Sequence, residues 1–439
     1  MRLVFFITAL VVSTAMLSVG SGKNKLLLSL GKETYLTTEF VNLSAQDLQP
    51  NTLYKVETST VDSKGLIWTS FAEFISDQNG TIDFSSIPQN GTYKIANSQG
   101  LFWSRLPENS HHDKDYFSGG DSFLTTVKLS LNGTQVDAVE FSTLAWSSEI
   151  TVTESRKPDA FFDLVRPTNP VLQKETGVIL LGGSEGGLST NGAKEIASRG
   201  YTVLNLAYFG EVGLPKELID VPVDSLIKNI RDFKMNHPQL KKIIIWGGSK
   251  GAELALLLGT LMPKQVNGVI AVVPSHVVWQ GLSMTDFTPK SSWKFNDASI
   301  GFAPMLYEQS DFASAKILLR KGYERSILQI PDLSFAEIPV EKITGPILLI
   351  SGTDDQVWPS DLMAEKIESR LKRMNFKYNL VNLIYQDAGH WIDVRPSLPK
   401  RNRYFNEVFF VGGNLEADGA AVTDATQKVF GFLDGIESH

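Results

Sequence analysis

The sequence predicts an α/β fold with an immunoglobulin-like β-sandwich domain at its N-terminal end, and three observations support this prediction. Short alternating apolar runs separated by turn residues fill positions 25–150, which is typical of a β-sandwich. From position 171 onward, apolar strand-like segments alternate with helix-like segments, which indicates a mostly parallel sheet flanked by helices. A glycine-flanked serine stands between one such strand and a helix-forming segment.

The composition limits the class of protein. With 439 residues and 42% hydrophobic content, the chain is long enough for two domains and apolar enough for packed cores. Its net charge is −7 and it has no long basic run, so we expect no nucleic-acid partner. The absence of cysteine excludes a cysteine nucleophile and a thiolate metal site. The histidines at 111–112 are isolated in sequence, so we expect a solvated loop there, no metal site and no cofactor.

The predicted elements begin with a secretory signal peptide at 1–20. Arg2 precedes an apolar run at 3–12, and small residues follow near 18–21. The run is short for a spanning helix, although an uncleaved membrane anchor is the alternative. With a signal peptide we expect an exported protein, periplasmic or secreted. Because no later segment is apolar enough to span a membrane, we expect no membrane span after signal cleavage.

The predicted β-sandwich at 25–150 contains strand-like runs and Asn-Gly turns. Four Asn-x-Ser/Thr sequons lie in it, and in a eukaryotic secretory pathway they would be glycan acceptors. They are at Asn42, Asn79, Asn90 and Asn132. The prolines of segment 151–170 predict a linker to the second domain, which we place at 171–439.

The second domain has a strand and helix pattern that can be placed element by element. We expect strands at 178–181, 201–208, 242–246, 269–273, 346–351 and 378–385, and helices at 191–198, 223–236, 252–258, 361–373 and 420–433. Segment 276–343 shows no regular pattern, and its aromatic residues suggest an apolar pocket, although core packing explains them equally well.

The segment 247–251 reads Gly-x-Ser-x-Gly and directly follows the predicted strand at 242–246. In front of a helix, this pattern is the nucleophile elbow of an α/β-hydrolase, a sharp turn that exposes the serine above the sheet. The flanking glycines avoid steric clash in a strained backbone. We therefore predict Ser249 as the nucleophile. A flexible surface turn is the alternative for the motif taken alone, because it also occurs by chance in glycine-rich chains.

A serine nucleophile needs a base, and in this fold an acid and then a histidine follow the serine along the chain. His390 lies directly after a predicted strand, where the base is expected. His276 comes before any acid-bearing strand, and His439 is the terminal residue. We predict that His390 takes the proton of Ser249 and later protonates the leaving group.

The acid is expected at the end of the strand at 346–351, where two aspartates are adjacent. The spacing Gly-x-x-Asp-x-x-x-Pro, common in this fold, favours Asp355 over Asp354, which would then be structural. Asp355 would keep the imidazole of His390 in the tautomer that the reaction needs.

Attack of the serine on an acyl carbonyl gives a tetrahedral intermediate with a negatively charged oxygen, and this oxyanion needs N–H donors. The first is expected from the backbone N–H of Lys250, which opens the helix after the nucleophile. The second should come from the glycine-rich loop 182–187, which lacks the Gly-Lys-Ser/Thr ending of a phosphate loop. We choose Ser184, with Gly183 and Glu185 as alternatives.

With these residues in place, the chain resembles the family of acyl-CoA thioesterases and bile acid-CoA:amino acid N-acyltransferases over nearly its whole length after the predicted signal. The resemblance rests on Leu-Gln-Pro at 48–50, the strand texture at 64–70, Gly-Leu-Phe-Trp-Ser at 100–104, Gly-Gly-Leu at 186–188, Leu-Ala-Tyr-Phe at 206–209, Ser-Lys-Gly at 249–251, Asp-Asp-Gln-Val-Trp-Pro-Ser at 354–360 and Ala-Gly-His at 388–390. It implies a β-sandwich before an α/β-hydrolase domain, with the nucleophile at Ser249, the acid at Asp355 and the base at His390.

The resemblance implies a serine hydrolase of the acyl-CoA thioesterase type, which cleaves a small-molecule acyl thioester or ester. The N-acyltransferase branch uses a cysteine nucleophile, so Ser249 implies hydrolysis over aminolysis. An exported carboxylesterase, or an acyltransferase to a small nucleophile, is the alternative, and a non-catalytic binding protein is a third hypothesis. Family members mostly act inside cells or organelles, and the predicted signal peptide departs from that pattern.

Overall fold

The computed structural model describes residues 27–109, 114–283, 285, 288–400, 402–405 and 407–438. The predicted signal peptide at 1–20, the histidines at 111–112 and His439 lie outside these residues. Within the described ranges, no helix has the length and apolar character needed to cross a membrane.

The described part of the chain forms short and long strands joined by helices. The strands are β1 Leu28–Leu30, β2 Thr34–Leu36, β3 Leu43–Ala45, β4 Leu53–Val61, β5 Ile67–Ile75, β6 Asn90–Gly91, β7 Leu106–Pro107, β8 Ser122–Leu131, β9 Thr134–Leu144, β10 Ile150–Lys157, β11 Ala160–Pro167, β12 Thr176–Leu181, β13 Thr202–Leu206, β14 Val221–Pro222, β15 Lys242–Gly248, β16 Gly268–Val272, β17 Trp293–Phe295, β18 Ala298–Ser299, β19 Ile347–Gly352, β20 Leu380–Tyr385, β21 Tyr404–Phe405 and β22 Phe409–Phe410. The α-helices are α1 Gly100–Trp103, α2 Thr190–Ala197, α3 Val223–Asn236, α4 Lys250–Leu261, α5 Arg320–Gln329, α6 Ser360–Arg373 and α7 Leu415–Glu437.

The N-terminal part is built from β1 to β9. Its main sheet has the order β2-β9-β8-β4-β5-β6, with β7 also paired to β5, and β1 and β3 form a separate two-stranded sheet. Along β4 and β5 every second residue is buried, as expected for strands that pack one face on a core. Leu28 and Ala45 of the small sheet share one hydrophobic cluster with Val56 and Phe74 of the main sheet, so the two sheets enclose a common core.

Two of the three Asn-Gly dipeptides lie at turns in this part of the chain, whereas Asn90–Gly91, also expected at a turn, forms β6 and pairs with β5. Asn132 and Gly133 join β8 to β9 with φ values of 49° and 79°, so the left-handed conformation that this tight hairpin requires is present at both positions. Gly80 also has a positive φ, of 72°. The asparagines of all four sequons are exposed.

The second part of the chain contains a sheet with the order β10-β11-β13-β12-β15-β16-β19-β20, in which the strands from β13 to β20 run parallel. Ile243 and Ile245 of β15 belong to one hydrophobic cluster, together with residues of α3, α4 and α6. Ile244 and Trp246 face the opposite cluster, which includes residues of α2 and α7. The sheet is therefore covered on both faces, which confirms the predicted α/β fold.

Segment 151–170 is not a linker. It forms the antiparallel hairpin of β10 and β11, and β11 pairs with β13 at the edge of the large sheet. Pro158 lies in the two-residue turn between the strands and Pro167 is the last residue of β11. Proline is tolerated at such strand ends because it need not donate to the ladder there, so these prolines do not mark a domain boundary.

Two other regions differ from the predicted pattern. Segment 276–343, expected to be irregular, contains β17, β18 and the ten-residue helix α5. The final helix begins five residues earlier than predicted, because Asn414 caps it by accepting a hydrogen bond from the N–H of Ala417 at 3.0 Å. Gly419 in its second turn packs on Trp103, since a Cβ there would stand 2.3 Å from the indole ring.

Candidate active site

Ser249 stands alone between the end of β15 and the start of α4, with φ of 55° and ψ of −123°. This conformation is strained for a residue with a side chain. A Cβ on Gly247 would lie 2.0 Å from the carbonyl oxygen of Gly251, and a Cβ on Gly251 would lie 2.2 Å from that of Gly182. The two flanking glycines are therefore required, because backbone approaches backbone too closely for a side chain. Ser249 itself is half-buried and remains accessible.

His390 follows β20 and contacts the acid that follows β19. Its Nδ1 lies 2.9 Å from Oδ1 and 2.8 Å from Oδ2 of Asp355. Asp354 faces elsewhere, because its carboxylate accepts hydrogen bonds from the side chain of Gln356 and the N–H of Gly413. The geometry thus joins Asp355, rather than its neighbour, to the imidazole.

Asp355 is completely buried and is held by donors of its own segment. Its Oδ1 accepts from the N–H of Val357 at 3.0 Å and of Trp358 at 3.2 Å, and its Oδ2 accepts from the hydroxyl of Ser360 at 2.6 Å. Ser360 is the first residue of α6, so the positive end of that helix also favours the carboxylate. These contacts fix the orientation in which the carboxylate meets His390.

The topology brings the three predicted catalytic residues to one edge of the sheet. β15, β16, β19 and β20 are consecutive parallel neighbours, and Ser249, Asp355 and His390 each follow the carboxyl end of one of them. Within the described residues, His390 Nδ1 bonds to Asp355, and no hydrogen bond joins the hydroxyl of Ser249 to the imidazole. In unliganded enzymes this bond is often long and closes only around the substrate.

The glycine-rich loop after β12 lies beside Ser249. The hydroxyl of Tyr208 donates to the carbonyl oxygens of Gly182 and Gly183 and so holds the loop in place. The N–H of Gly183 donates to Oε1 of Glu185 at 2.9 Å. Within the described residues the N–H of Ser184 has no acceptor, and its part as an oxyanion donor stays a prediction.

Lys250 has two separate roles in the geometry. Its backbone N–H is the first of α4 and has no acceptor within the helix. Its side chain is buried, and Nζ lies 2.7 Å and 2.8 Å from the two carboxylate oxygens of Glu253. Glu253 also accepts from Nε1 of Trp293 at 2.7 Å and from the N–H of Trp279 at 3.3 Å.

This buried ion pair was not predicted, although lysine and glutamate three residues apart on a helix are a readable signal. Burial lowers the pKa of the Lys250 ammonium and raises that of the Glu253 carboxyl, and the contact between them opposes both shifts. Trp279 and Trp293 belong to segment 276–343. Their hydrogen bonds to Glu253 therefore connect that segment to α4, the helix that follows Ser249. These two tryptophans are fully buried, so the aromatic pattern there reflects core packing at both positions.

His276, the alternative base, lies in a different environment. It lines a cavity of about 270 Å³ together with Glu337, Lys366 and Arg370. Burial, with a smaller contribution from the charge of Lys366, lowers its pKa to about 3. Its Nδ1 has no hydrogen-bond partner within the described residues. His276 therefore lacks the carboxylate contact that His390 has.

The β-sandwich contacts the segment that follows His390, which the sequence did not indicate. The side chain of Arg105 is 1% exposed and donates to the carbonyl oxygen of Ser397 at 2.7 Å. The N–H of Lys400 donates to the carbonyl oxygen of Trp103 at 3.1 Å. Burial lowers the pKa of Arg105 to about 9, and three phenylalanine rings surround the guanidinium. The sandwich thus anchors residues 397–400, close in sequence to the predicted base.

We expect Arg105→Met to lower kcat about tenfold or more with a smaller change in KM, because release of the carbonyl of Ser397 loosens the segment that carries His390. Steady-state kinetics measure this split, and limited proteolysis reports on mobility at 393–400. Arg231→Met, at an exposed position of α3, is the control. Unchanged kcat in a folded Arg105 variant would contradict the expectation.

A parallel sheet with a strained serine at a strand-to-helix turn, and an aspartate–histidine pair at neighbouring strand ends, defines an α/β-hydrolase. Comparison with protein-family models identifies the family within this class. Residues 228–436 match the family described as BAAT/acyl-CoA thioester hydrolase C terminal, and residues 38–156 match the acyl-CoA thioester hydrolase/BAAT N-terminal region. The chain belongs to this family and is an acyl-CoA thioesterase-like hydrolase.

Curated relatives cover most of the chain. Acyl-coenzyme A thioesterase 6 of Mus musculus is 25% identical over 409 residues, which are 90% of this chain and 93% of the relative. Peroxisomal succinyl-coenzyme A thioesterase of Mus musculus is 25% identical over 414 residues, with coverage of 90% and 93%. Acyl-coenzyme A amino acid N-acyltransferase 2 of Rattus norvegicus is 28% identical over 376 residues, with coverage of 82% and 84%.

Proposed function

We propose that this protein hydrolyses an acyl thioester, with an acyl-CoA as the donor, through an acyl-enzyme on Ser249. The observation that carries the proposal is the contact of His390 with the buried Asp355 at the sheet edge where Ser249 stands in its strained turn. The relatives named as acyl-coenzyme A thioesterases support the thioester as the bond that is cleaved.

In the first half of the reaction, the hydroxyl of Ser249 attacks the acyl carbonyl while the imidazole of His390 takes its proton. Asp355 stabilises the imidazolium that forms. The tetrahedral oxyanion accepts hydrogen bonds from the N–H groups of Lys250 and Ser184. The carbon–sulfur bond then breaks, and His390 delivers its proton to the thiolate, which leaves as a thiol.

In the second half, a water molecule donates its proton to His390 and attacks the acyl-enzyme. The bond to Ser249 breaks, the serine recovers its proton, and the carboxylic acid leaves. The serine at position 249, where the N-acyltransferase branch of the family has a cysteine, supports hydrolysis. Transfer to a small amine is the alternative that the relative named as an N-acyltransferase suggests.

The test is hydrolysis of palmitoyl-CoA and of a p-nitrophenyl ester by the purified protein, with Ser249→Ala as the control. We expect turnover of the thioester that depends on Ser249, and addition of glycine should not divert the acyl group from water. Turnover that survives in the variant would refute the acyl-enzyme. A fluorophosphonate that fails to label Ser249 would instead support a non-catalytic binding protein.

We further propose that the protein is exported, periplasmic or secreted, because residues 1–20 have the pattern of a signal peptide. Cell fractionation followed by N-terminal sequencing of the mature chain is the test. The expected result is an exported chain that begins near residue 21. A chain that keeps residues 1–20 and remains with the cytosolic fraction would contradict export.

A further inference from the structure

Glu185 places a carboxylate beside the nucleophile. A Cβ built on Gly183 would stand 2.7 Å from Oε2 of Glu185 and 3.4 Å from Cβ of Ser249, so Oε2 lies no more than about 6 Å from that Cβ. Oε1 of the same carboxylate accepts the N–H of Gly183 at 2.9 Å. This hydrogen bond holds the carboxylate against the glycine-rich loop 182–187.

Among the described residues, no cation pairs with the carboxylate of Glu185. Glu185 is exposed and takes part in no ion pair with another described residue. The ammonium of Lys250, next to the nucleophile in sequence, is already bonded to both carboxylate oxygens of Glu253. A second carboxylate, that of Glu211, would lie 2.9 Å from a Cβ on Gly187 of the same loop and adds to the negative charge.

From this placement we infer that Glu185 determines acyl specificity: it selects acyl groups that have no carboxylate within a few carbon atoms of the scissile carbonyl. The inference rests on the proposed hydrolysis at Ser249. A short dicarboxylic acyl group bound at Ser249 would hold its free carboxylate within a few carbon atoms of the scissile carbonyl, where the carboxylate of Glu185 would repel it. Because Glu185 is exposed, this repulsion is moderate and is screened by salt. Acyl groups of monocarboxylic acids avoid this repulsion, so they are the substrate class that the site favours.

The experiment compares two thioesters of N-acetylcysteamine, the glutaryl and the monomethylglutaryl thioester, which share an uncharged leaving group and differ by one negative charge. In the wild-type protein we expect kcat/KM for the uncharged substrate to be larger by about tenfold or more. Glu185→Gln keeps the shape of the side chain and removes its charge, and should reduce the preference to about threefold or less. Glu33→Gln, the same substitution at an exposed position of the β-sandwich, is the matched control and should change the preference by less than about twofold.

Ionic strength gives a second measurement that needs no variant. The preference of the wild-type protein should weaken as salt is raised, because screening reduces repulsion between charges near solvent. A preference that is absent in the wild type, or that is unchanged by both Glu185→Gln and salt, would overturn the role of Glu185 while the hydrolysis itself stands. If the wild type hydrolysed neither thioester and a fluorophosphonate did not label Ser249, the proposed function would fail, and this inference with it.

Discussion

Ser249→Ala should lower kcat/KM for any thioester or ester substrate by about ten-thousandfold or more. Alanine leaves no nucleophile at the turn, and the oxyanion donors and substrate contacts that remain account only for residual catalysis. The measurement is kcat/KM on the substrate that the wild type turns over fastest. The fold should persist, because alanine is smaller than serine and the glycines that make the turn are untouched.

A matched control for this variant is Ser85→Ala, which removes an exposed hydroxyl in a turn of the β-sandwich. Its activity should equal that of the wild type. Circular dichroism and thermal unfolding of both variants would separate loss of chemistry from loss of fold. More than about a tenth of the wild-type activity in Ser249→Ala would show that another residue is the nucleophile.

Breaking the buried pair of Lys250 and Glu253 should be the most destabilising single change. Lys250→Met leaves the buried carboxylate without its cation, and Glu253→Gln leaves the ammonium without its anion. Each variant should lower the free energy of unfolding by about 3–5 kcal/mol, because an unpaired charge then stays in an environment that excludes water. Urea titration followed by tryptophan fluorescence measures the loss, and Trp279 and Trp293 are among the eight tryptophans that contribute to the signal.

The double variant Lys250→Met/Glu253→Gln should recover most of the lost stability, because no buried charge remains and the amide oxygen of glutamine can still accept from Trp293. A double variant as unstable as the sum of the two single changes would contradict the coupling. The exposed pair of Lys228 and Asp232 on α3 provides the comparison, and its removal should change stability little.

Local sequence patterns predicted the elements that carry the chemistry. The Gly-x-Ser-x-Gly at 247–251 predicted the turn at Ser249, and the structure has that turn between β15 and α4. The spacing of residues around 352–359 selected Asp355, and the structure joins Asp355 to His390. Such signals are readable because steric demands at one turn and the order of elements along the chain are local properties.

The assignment of segment 151–170 failed because a proline at a strand end reads the same as a proline in a linker. Whether β11 pairs with β13 depends on a strand about forty residues away, which no local pattern reports. The early start of α7 was missed for a similar reason. Gly419 weakens the helical signal, and its position is explained only by the ring of Trp103, which leaves no space for a side chain.

The sequence alone determined the α/β class and the family, and it predicted the candidate nucleophile, acid and base. Each of these follows from residue types at fixed spacings. Only the tertiary structure decided that the carboxylate of Glu185 lies near Ser249, that Lys250 and Glu253 form a buried pair, and that the β-sandwich contacts the segment after His390. The physical reason is that these contacts join loops and domains distant in sequence, and their strength depends on burial and distance, which exist only once the chain has folded.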